Sequence, residues 1–293
     1  MNHKSQLLRS ALYIPASNNR ALAKCSTLNA DAFIFDLEDS VNSNKKGKAR
    51  DSLKEFFINS NDELKNKSLF IRINHIDSEW LTMDLELVVA IKPKFVLIPK
   101  LESFSQIEHV FSRLKVAGLT NRVCIAGMIE TPLGVLNVKE LAKENSYIQG
   151  FILGTNDLAF RLKCEVNHGR KNLLFALRQT LLSARSFGLF CLDGVFNSFK
   201  DHDGFRKECI QSREMGFDGK TLIHPKQIKI TNDIFSSSEE EIRLAKVYVK
   251  EFEKAINHGE GVAVVNGVIV EEMHYQRSLD ILKKNRNLRN NSM

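Results

Sequence analysis

The sequence predicts an α/β fold, a (β/α)8 TIM barrel followed by a C-terminal helix–hairpin–helix lid extension. Eight short apolar runs recur between residues 11 and 224, and amphipathic segments separate them. No GxGxxG follows the first run, which disfavours an open doubly wound sheet. The runs are ALYIPA (11–16), AFIFDLE (32–38), SLFIRIN (68–74), FVLIPK (95–100), CIAGMIE (124–130), GFILGT (150–155), FCLDGV (190–195) and GKTLIH (219–224). Each is apolar almost throughout, the pattern of a parallel strand covered on both faces. Residues 9–232 are thereby assigned to a barrel and residues 233–293 to an extension.

Between the runs, RKNLLFALRQTLLSARSFG places Leu173, Leu174, Leu177, Leu181 and Ala184 at helical spacing, with Gly188 to close the end. In SFSQIEHVFSRLKVAG, Ser103 and Gln106 have the spacing of a capping box. Past the eighth run, SSSEEEIRLAKVYVKEFEKAIN reads as a helix starting near Ser238. GVAVVNGVIV then places two apolar runs about an Asn-Gly pair, a hairpin signal, and EEMHYQRSLDILKK reads as a last helix. An extension this short is expected to lack an independent core and to pack on the barrel or on a neighbouring subunit. The polar tail LKKNRNLRNNSM is expected to be a solvated, fraying end.

Of the 293 residues, 43% are hydrophobic and 26% charged, ordinary for a water-soluble chain able to bury a sizeable core. No apolar stretch approaches the roughly 18 residues of a membrane span, so no membrane partner is expected. The opening MNHKSQLLRS lacks the apolar stretch of a secretory signal. Five cysteines, an odd number without a CxxC pair, read as reduced thiols, and the expected location is cytoplasmic. The net charge of +7 is spread among interleaved acids, so no nucleic-acid partner is expected.

Chemistry in a (β/α)8 barrel sits at the C-terminal strand ends. Those ends carry Asp36, Glu38, Asp39, Arg72, Lys100, Glu130, Asp157, Asp193 and His224, a polar ring that packing alone does not explain. Glu130 and Asp157 come from adjacent strands without His or Cys beside them, a donor set suited to Mg2+ or Mn2+. Each could instead cap the helix that follows it. Arg72, inside an apolar strand, calls for a carboxylate of DLED as its partner and is placed to stabilise a developing oxyanion. Asp36 and Glu38 share one face of their strand and can surround the cation's water ligands, with Asp39 in the loop. His224 reads as a structural hydrogen-bonder, and Lys100 is equally readable as a Schiff-base lysine. Neither GxSxG nor GxxxxGK[ST] occurs.

RSALYIPA, DAFIFDLEDSV with its following Lys and Ala-Arg, IRIN, IPK, IET, LDGV, GFDGKTLIHPKQI and NGVIVEE occur in the order of the citrate lyase beta-subunit family. That family includes malyl-CoA and citramalyl-CoA lyases and is related to the HpcH/HpaI aldolases. The resemblance runs from residue 9 to about residue 282. It implies Mg2+, an acyl-CoA or acyl-carrier thioester, and reversible cleavage of a 3-hydroxyacyl thioester to acetyl-CoA and a 2-oxo acid.

By position, the family's metal ligands fall on Glu130 and Asp157 and its substrate arginine on Arg72. The backbone of Gly154, Thr155 and Asn156 would cradle the substrate carboxylate. Arg9, Arg20 and Lys24 would contact CoA phosphates. The chain departs from the family at Pro15-Ala16, where Pro-Gly is usual, and at Glu271, where CoA-dependent members carry a lid aspartate that reaches a neighbour's site. With Asp39, Glu271 completes the expected catalytic set. Alternatively, Glu271 is an acid favoured by a helix N-terminus. A homo-oligomer, trimer or hexamer, is implied. The competing functions are a citrate lyase subunit working with an acyl carrier, a thioesterase or malate-synthase-like enzyme, a CoA-free aldolase, and a CoA-binding regulator without turnover.

Overall fold

The computed structural model describes residues 7–59, 64, 66–143 and 147–290. The chain divides into two compact units, one covering Leu8–Asp233 and one built from Ile234 onward. In the first, eight parallel strands close into a barrel: β1 (Ser10–Pro15), β2 (Ala32–Asp36), β3 (Ser68–Arg72), β4 (Phe95–Ile98), β5 (Cys124–Ile129), β6 (Ile148–Leu153), β7 (Phe190–Asp193) and β8 (Gly219–Leu222). Helices α1 (Asn19–Lys24), α2 (Lys46–Asn59), α3 (Leu81–Ile91), α4 (Phe104–Val116), α5 (Pro132–Lys143), α6 (Thr155–Leu162), α7 (Leu174–Ser186), α8 (His202–Met215) and α9 (Lys226–Phe235) lie between and after them. The box before α4 forms, with Gln106 Oε1 accepting from Ser103 N at 3.0 Å.

Strand parity decides what fills the barrel and what reaches its mouth. Ala11, Ala32, Ile34, Phe70, Phe95, Leu97, Ala126, Met128, Ile152 and Leu192 form one buried cluster, with Tyr13 and Phe190 packed against it. Phe70 stacks on Phe95 at 4.4 Å, and Phe190 meets Phe95 edge-on at 5.4 Å, which plugs the lumen. Two residues beyond Ile34, Phe70 and Met128 along the same faces stand Asp36, Arg72 and Glu130. The lumen face therefore delivers these three charges to the mouth.

The same rule corrects one expectation. Asp193 follows the lumen residue Leu192, so it points outward, away from the ring of mouth acids. There Arg170 Nη1 donates to Asp193 Oδ1 at 2.6 Å and Lys220 Nζ donates to its Oδ2 at 2.7 Å. Register pairs Asp193 with Lys220 directly across β7 and β8. Glu208 on α8 takes a second bond from Lys220 at 2.7 Å, and the Ser212 hydroxyl also donates to Asp193. Burial alone would raise the Asp193 carboxyl, but the Lys220 and Arg170 charges hold it far below the ordinary carboxylate range.

The second unit contains α10 (Glu239–Asn257), the hairpin β9 (Ala263–Val265) and β10 (Val268–Val270), and α11 (Glu272–Asn290). Ser238 and Glu241 cap α10 reciprocally at 2.8 and 3.1 Å. Asn266 (φ 48°) and Gly267 (φ 78°) both take the left-handed conformation that a two-residue hairpin turn requires. Against the expectation of no core, Phe252, Ala255, Ala263, Val265 and Val270 form one of their own. The tail is also corrected: α11 runs to Asn290, and Ile281, Asn285 and Leu288 are partly buried at i, i+4 and i+7. All five cysteines are reduced, three of them buried.

Asp193→Asn should leave the buried Lys220 and Arg170 with Glu208 as their one remaining carboxylate partner among the described residues and destabilise the barrel by about 3–5 kcal/mol, read from the denaturant midpoint. Because the carboxyl is held low in the fold, its contribution is present above its unfolded pKa near ~4 and is lost as pH falls below that value. The variant should therefore lose the part of the acid-unfolding slope that this carboxylate supplies.

Candidate active site

At the mouth the register sets Asp36 of β2 beside Arg72 of β3. The guanidinium bonds the carboxylate twice, Nε to Oδ1 and Nη2 to Oδ2, both at 2.7 Å. Asp36 also accepts from the amides of Glu38 (2.9 Å) and Ser40 (3.1 Å), which fold the DLED loop over the strand end. Lys46 pins that loop from behind, donating to the carbonyls of Leu37 and Glu38 at 2.7 Å each. Burial opposes ionisation of Asp36, yet Arg72 and these donors bring its pKa down to about 2, and Arg72 is held well above its usual value. The free edge of the guanidinium, Nη1, lies 3.0 Å from Glu38 Oε2 and 3.6 Å from Asp39. Glu38 and Asp39 also take Lys100 Nζ, at 2.5 and 3.5 Å.

Glu130 is fully buried at the end of β5. Its Oε1 accepts from the Lys100 backbone amide at 2.7 Å, a bond made possible by the left-handed backbone at Lys100 (φ 47°). Among the described residues its buried Oε2 has no hydrogen-bond partner. Burial, reinforced by Glu38 and Asp157 against the opposing pull of Arg72, pushes its pKa up to about 8. A Cβ on Gly154 would collide with the Glu130 carboxylate, so only glycine lets α6 approach this closely. Asp157 sits in the first turn of α6, and Gly154 occupies the N-cap position. Thr131 Oγ1, rather than Glu130, receives the Gly134 amide at the start of α5. Neither acid acts as a helix N-cap.

A cavity of about 370 Å³ opens over these groups, lined by Tyr13, Arg72, Glu130, Gly154, Thr155 and Asp157 among others. Among the described residues no group of three or more His, Cys, Asp or Glu side chains forms a metal cage. The mouth instead offers the carboxylates of Glu130, with its orphaned Oε2, and Asp157, which suits a hard divalent cation that keeps water or ligand oxygens in its other positions.

The structure gathers Asp36, Glu38, Asp39, Arg72, Lys100 and Glu130 into one network, with Asp157 and the Gly154–Asn156 turn beside it. Lys100 is an ion-pair partner whose pKa Glu38 and Asp39 raise against burial, which disfavours the neutral amine that Schiff-base chemistry needs. His224 Nδ1 accepts from the Lys226 amide at 3.2 Å, and its ring stacks on Phe199 at 4.6 Å. Asn156 and Asn197 exchange amide hydrogen bonds at 2.8 and 3.1 Å.

Arg20 and Lys24 are exposed one helical turn apart on α1, which follows the mouth end of β1. Arg9 is not brought to the mouth. It precedes β1 at the opposite end of the barrel and bonds Asp31 through Nε (2.8 Å) and Nη2 (2.7 Å). Glu271 belongs to the second unit, where its carbonyl accepts the first amides of α11 and its side chain is exposed.

Two mouth residues were not singled out from the sequence. Lys46 carries no local signal beyond its place after DLEDSV. Tyr13, whose ring lies 5.1 Å from the Arg72 guanidinium, is marked only by sharing the parity of Ala11. Burial holds its phenol well above the ordinary tyrosine value.

Known proteins are similar to this chain over most of its length. The (3S)-malyl-CoA thioesterase of Cereibacter sphaeroides (strain ATCC 17025 / ATH 2.4.3) is 43% identical over 97% of this chain and 96% of its own. Citrate lyase subunit beta of Escherichia coli K12 is 31% identical over 96% and 94%. A solved structure of the Mycobacterium tuberculosis citrate lyase beta subunit, complexed with oxaloacetate and magnesium, superposes with a TM-score of 0.67 at 26% identity. That match covers 81% of this chain and all of the other. The HpcH/HpaI aldolase/citrate lyase model matches residues 9–225, and the chain belongs to that family of lyases.

Proposed function

We propose that the protein is a Mg2+-dependent lyase that cleaves or forms the C–C bond of a 3-hydroxyacyl-CoA such as malyl-CoA or citramalyl-CoA, with acetyl-CoA and a 2-oxo acid as the other side of the reaction. The observation that carries this reading is the orphaned, buried Oε2 of Glu130, held beside Asp157 and facing the same cavity as an arginine fixed by Asp36. Glu130 and Asp157 would hold the cation, which supplies Lewis-acid stabilisation of oxygen charge and a template for the substrate's carboxylate and hydroxyl. The magnesium in the related M. tuberculosis structure supports this choice of ion.

The rest is done by the chain's own side chains and amides. The first-turn amides of α6, from Thr155 to Asp157, would receive the substrate carboxylate. Cleavage releases the hydroxyl proton to solvent water, turns that carbon into the carbonyl of the 2-oxo acid and sends the bonding electron pair into a thioester enolate. Arg72 stabilises that negative charge, and Asp39 takes part at the rim of the network. Glu271, reaching from a neighbouring copy, would protonate the enolate carbon, and in the reverse direction would remove that proton. Arg20 and Lys24 are the candidates for the CoA phosphates, and a homo-oligomer would bring the extension to a neighbour's mouth.

The likeness to (3S)-malyl-CoA thioesterase favours a second reading, hydrolysis of the same class of substrate. Here water adds to the thioester carbonyl and CoA leaves as its thiol.

Incubation with malyl-CoA, citramalyl-CoA and citryl-CoA in Mg2+, then in EDTA, tests both. A 2-oxo acid with acetyl-CoA establishes cleavage, and free thiol without acetyl-CoA establishes hydrolysis. Turnover that persists in EDTA, or none on any thioester, sinks the metal-dependent acyl-CoA reading. Glu130→Gln should lower kcat by at least about 10³-fold and weaken Mg2+ binding measured by calorimetry. Gly154→Ala should cost a similar factor, by pressing a methyl group onto the Glu130 carboxylate, while global unfolding shifts by only about 1–3 kcal/mol.

A further inference from the structure

Two donors at the mouth share an acceptor that suits neither. The Tyr13 hydroxyl, on the lumen face of β1, donates to Met128 Sδ at 3.5 Å, and Arg72 Nη1 donates to the same sulfur at 3.7 Å. A thioether is a weak acceptor, and a methionine side chain readily changes rotamer to accommodate a neighbour. Tyr13, Arg72 and Met128 all line the cavity that contains Glu130 and Asp157.

Both donors are held in place. Asp36 fixes the guanidinium through Nε and Nη2, which turns Nη1 toward the cavity with Glu38 Oε2 at 3.0 Å on its flank. The Tyr13 ring lies 5.1 Å from the guanidinium carbon, so ring and cation position one another. Two preorganised N–H and O–H groups that meet on one soft sulfur make a site for an oxygen that gains negative charge, with Glu38 and Asp39 beside the guanidinium as the carboxylates such an oxygen must outcompete.

We propose that Tyr13 and Arg72 form a two-donor oxyanion site for the thioester carbonyl oxygen of the substrate, and that the Met128 sulfur holds the place this oxygen takes. The inference depends on the acyl-CoA reading above and assigns a role to a residue outside it. In C–C cleavage the electrons of the breaking bond pass onto this oxygen as the enolate forms, and they return when the carbon is protonated. In hydrolysis the attack of water opens the carbonyl onto the same oxygen, and its collapse expels CoA. Either outcome therefore uses the same pair of donors. The substrate's carboxylate and hydroxyl have other partners in the Glu130–Asp157 site and the α6 amides, which leaves the thioester oxygen for this pair.

Tyr13→Phe keeps the ring against Arg72 and removes only the hydroxyl. On whichever thioester of the three the wild type turns over, kcat should fall about 100-fold with KM within about threefold of wild type and an unchanged melting temperature. A kcat within about threefold of wild type overturns the proposal. Should the phenylalanine variant not fold, 3-fluorotyrosine at position 13 retains ring and hydroxyl but alters the donor strength. A change of more than about twofold in kcat at constant KM supports the proposal, and an unaltered kcat overturns it. Glu130→Gln assayed alongside separates the two failures. Full activity in Glu130→Gln, or a wild type silent on all three thioesters, sinks the acyl-CoA reading and the tyrosine's role together. An inactive Glu130→Gln beside a fully active Tyr13→Phe sinks the tyrosine's role alone.

Discussion

A guanidinium enclosed at the mouth of a barrel is tolerable only if a carboxylate meets it in full, because an uncompensated charge there would cost several kcal/mol. The two parallel bonds between Arg72 and Asp36 meet that demand, and much of the mouth is arranged by them. Since the two residues are register partners, their pairing also fixes β2 against β3 at the height where chemistry would occur. Asp36 gathers the amides of the loop that follows, and the loop brings Glu38 to Lys100. Lys100 in turn presents its amide to Glu130. One ion pair thus sets the positions of groups drawn from four consecutive strands.

The barrel was legible because its signal is repeated eight times and each apolar run is too short to be a helix of comparable burial. The Asn-Gly hairpin, the capping box at Ser103 and the helix start at Ser238 were legible for a different reason: each is a local motif whose chemistry closes within four residues. The mouth was legible in part. Glu130, Asp157 and Arg72 stand out as charges at the ends of apolar runs, and that is a one-dimensional feature.

The direction in which a side chain leaves the sheet is not. A strand covered on both faces has no apolar–polar alternation from which to read it, and Asp193 was placed at the mouth for that reason. Its true partners, Arg170, Lys220 and Ser212, lie up to 27 residues away and converge, with Glu208 sharing the two cations, only once α8 packs over β7 and β8. Tyr13 was missed for a related reason. A tyrosine in an apolar strand resembles core, and only the neighbouring guanidinium and the cavity beyond it distinguish the two situations. Arg9 shows the opposite hazard. A basic residue near a strand gives no sign of which end of the barrel it serves, and Asp31 claims it at the far end.

The bond from Lys100 to Glu130 has a consequence for how such a site can change over generations. The donor is a main-chain N–H, so every residue except proline at position 100 can supply it, provided the backbone keeps its left-handed turn. The aim of the buried carboxylate is therefore insulated from drift in the side chain that stands in front of it. A trade of the ammonium at position 100 for another group would cost Glu38 and Asp39 their partner and so retune the charge at the rim, while the deeper acid keeps its orientation.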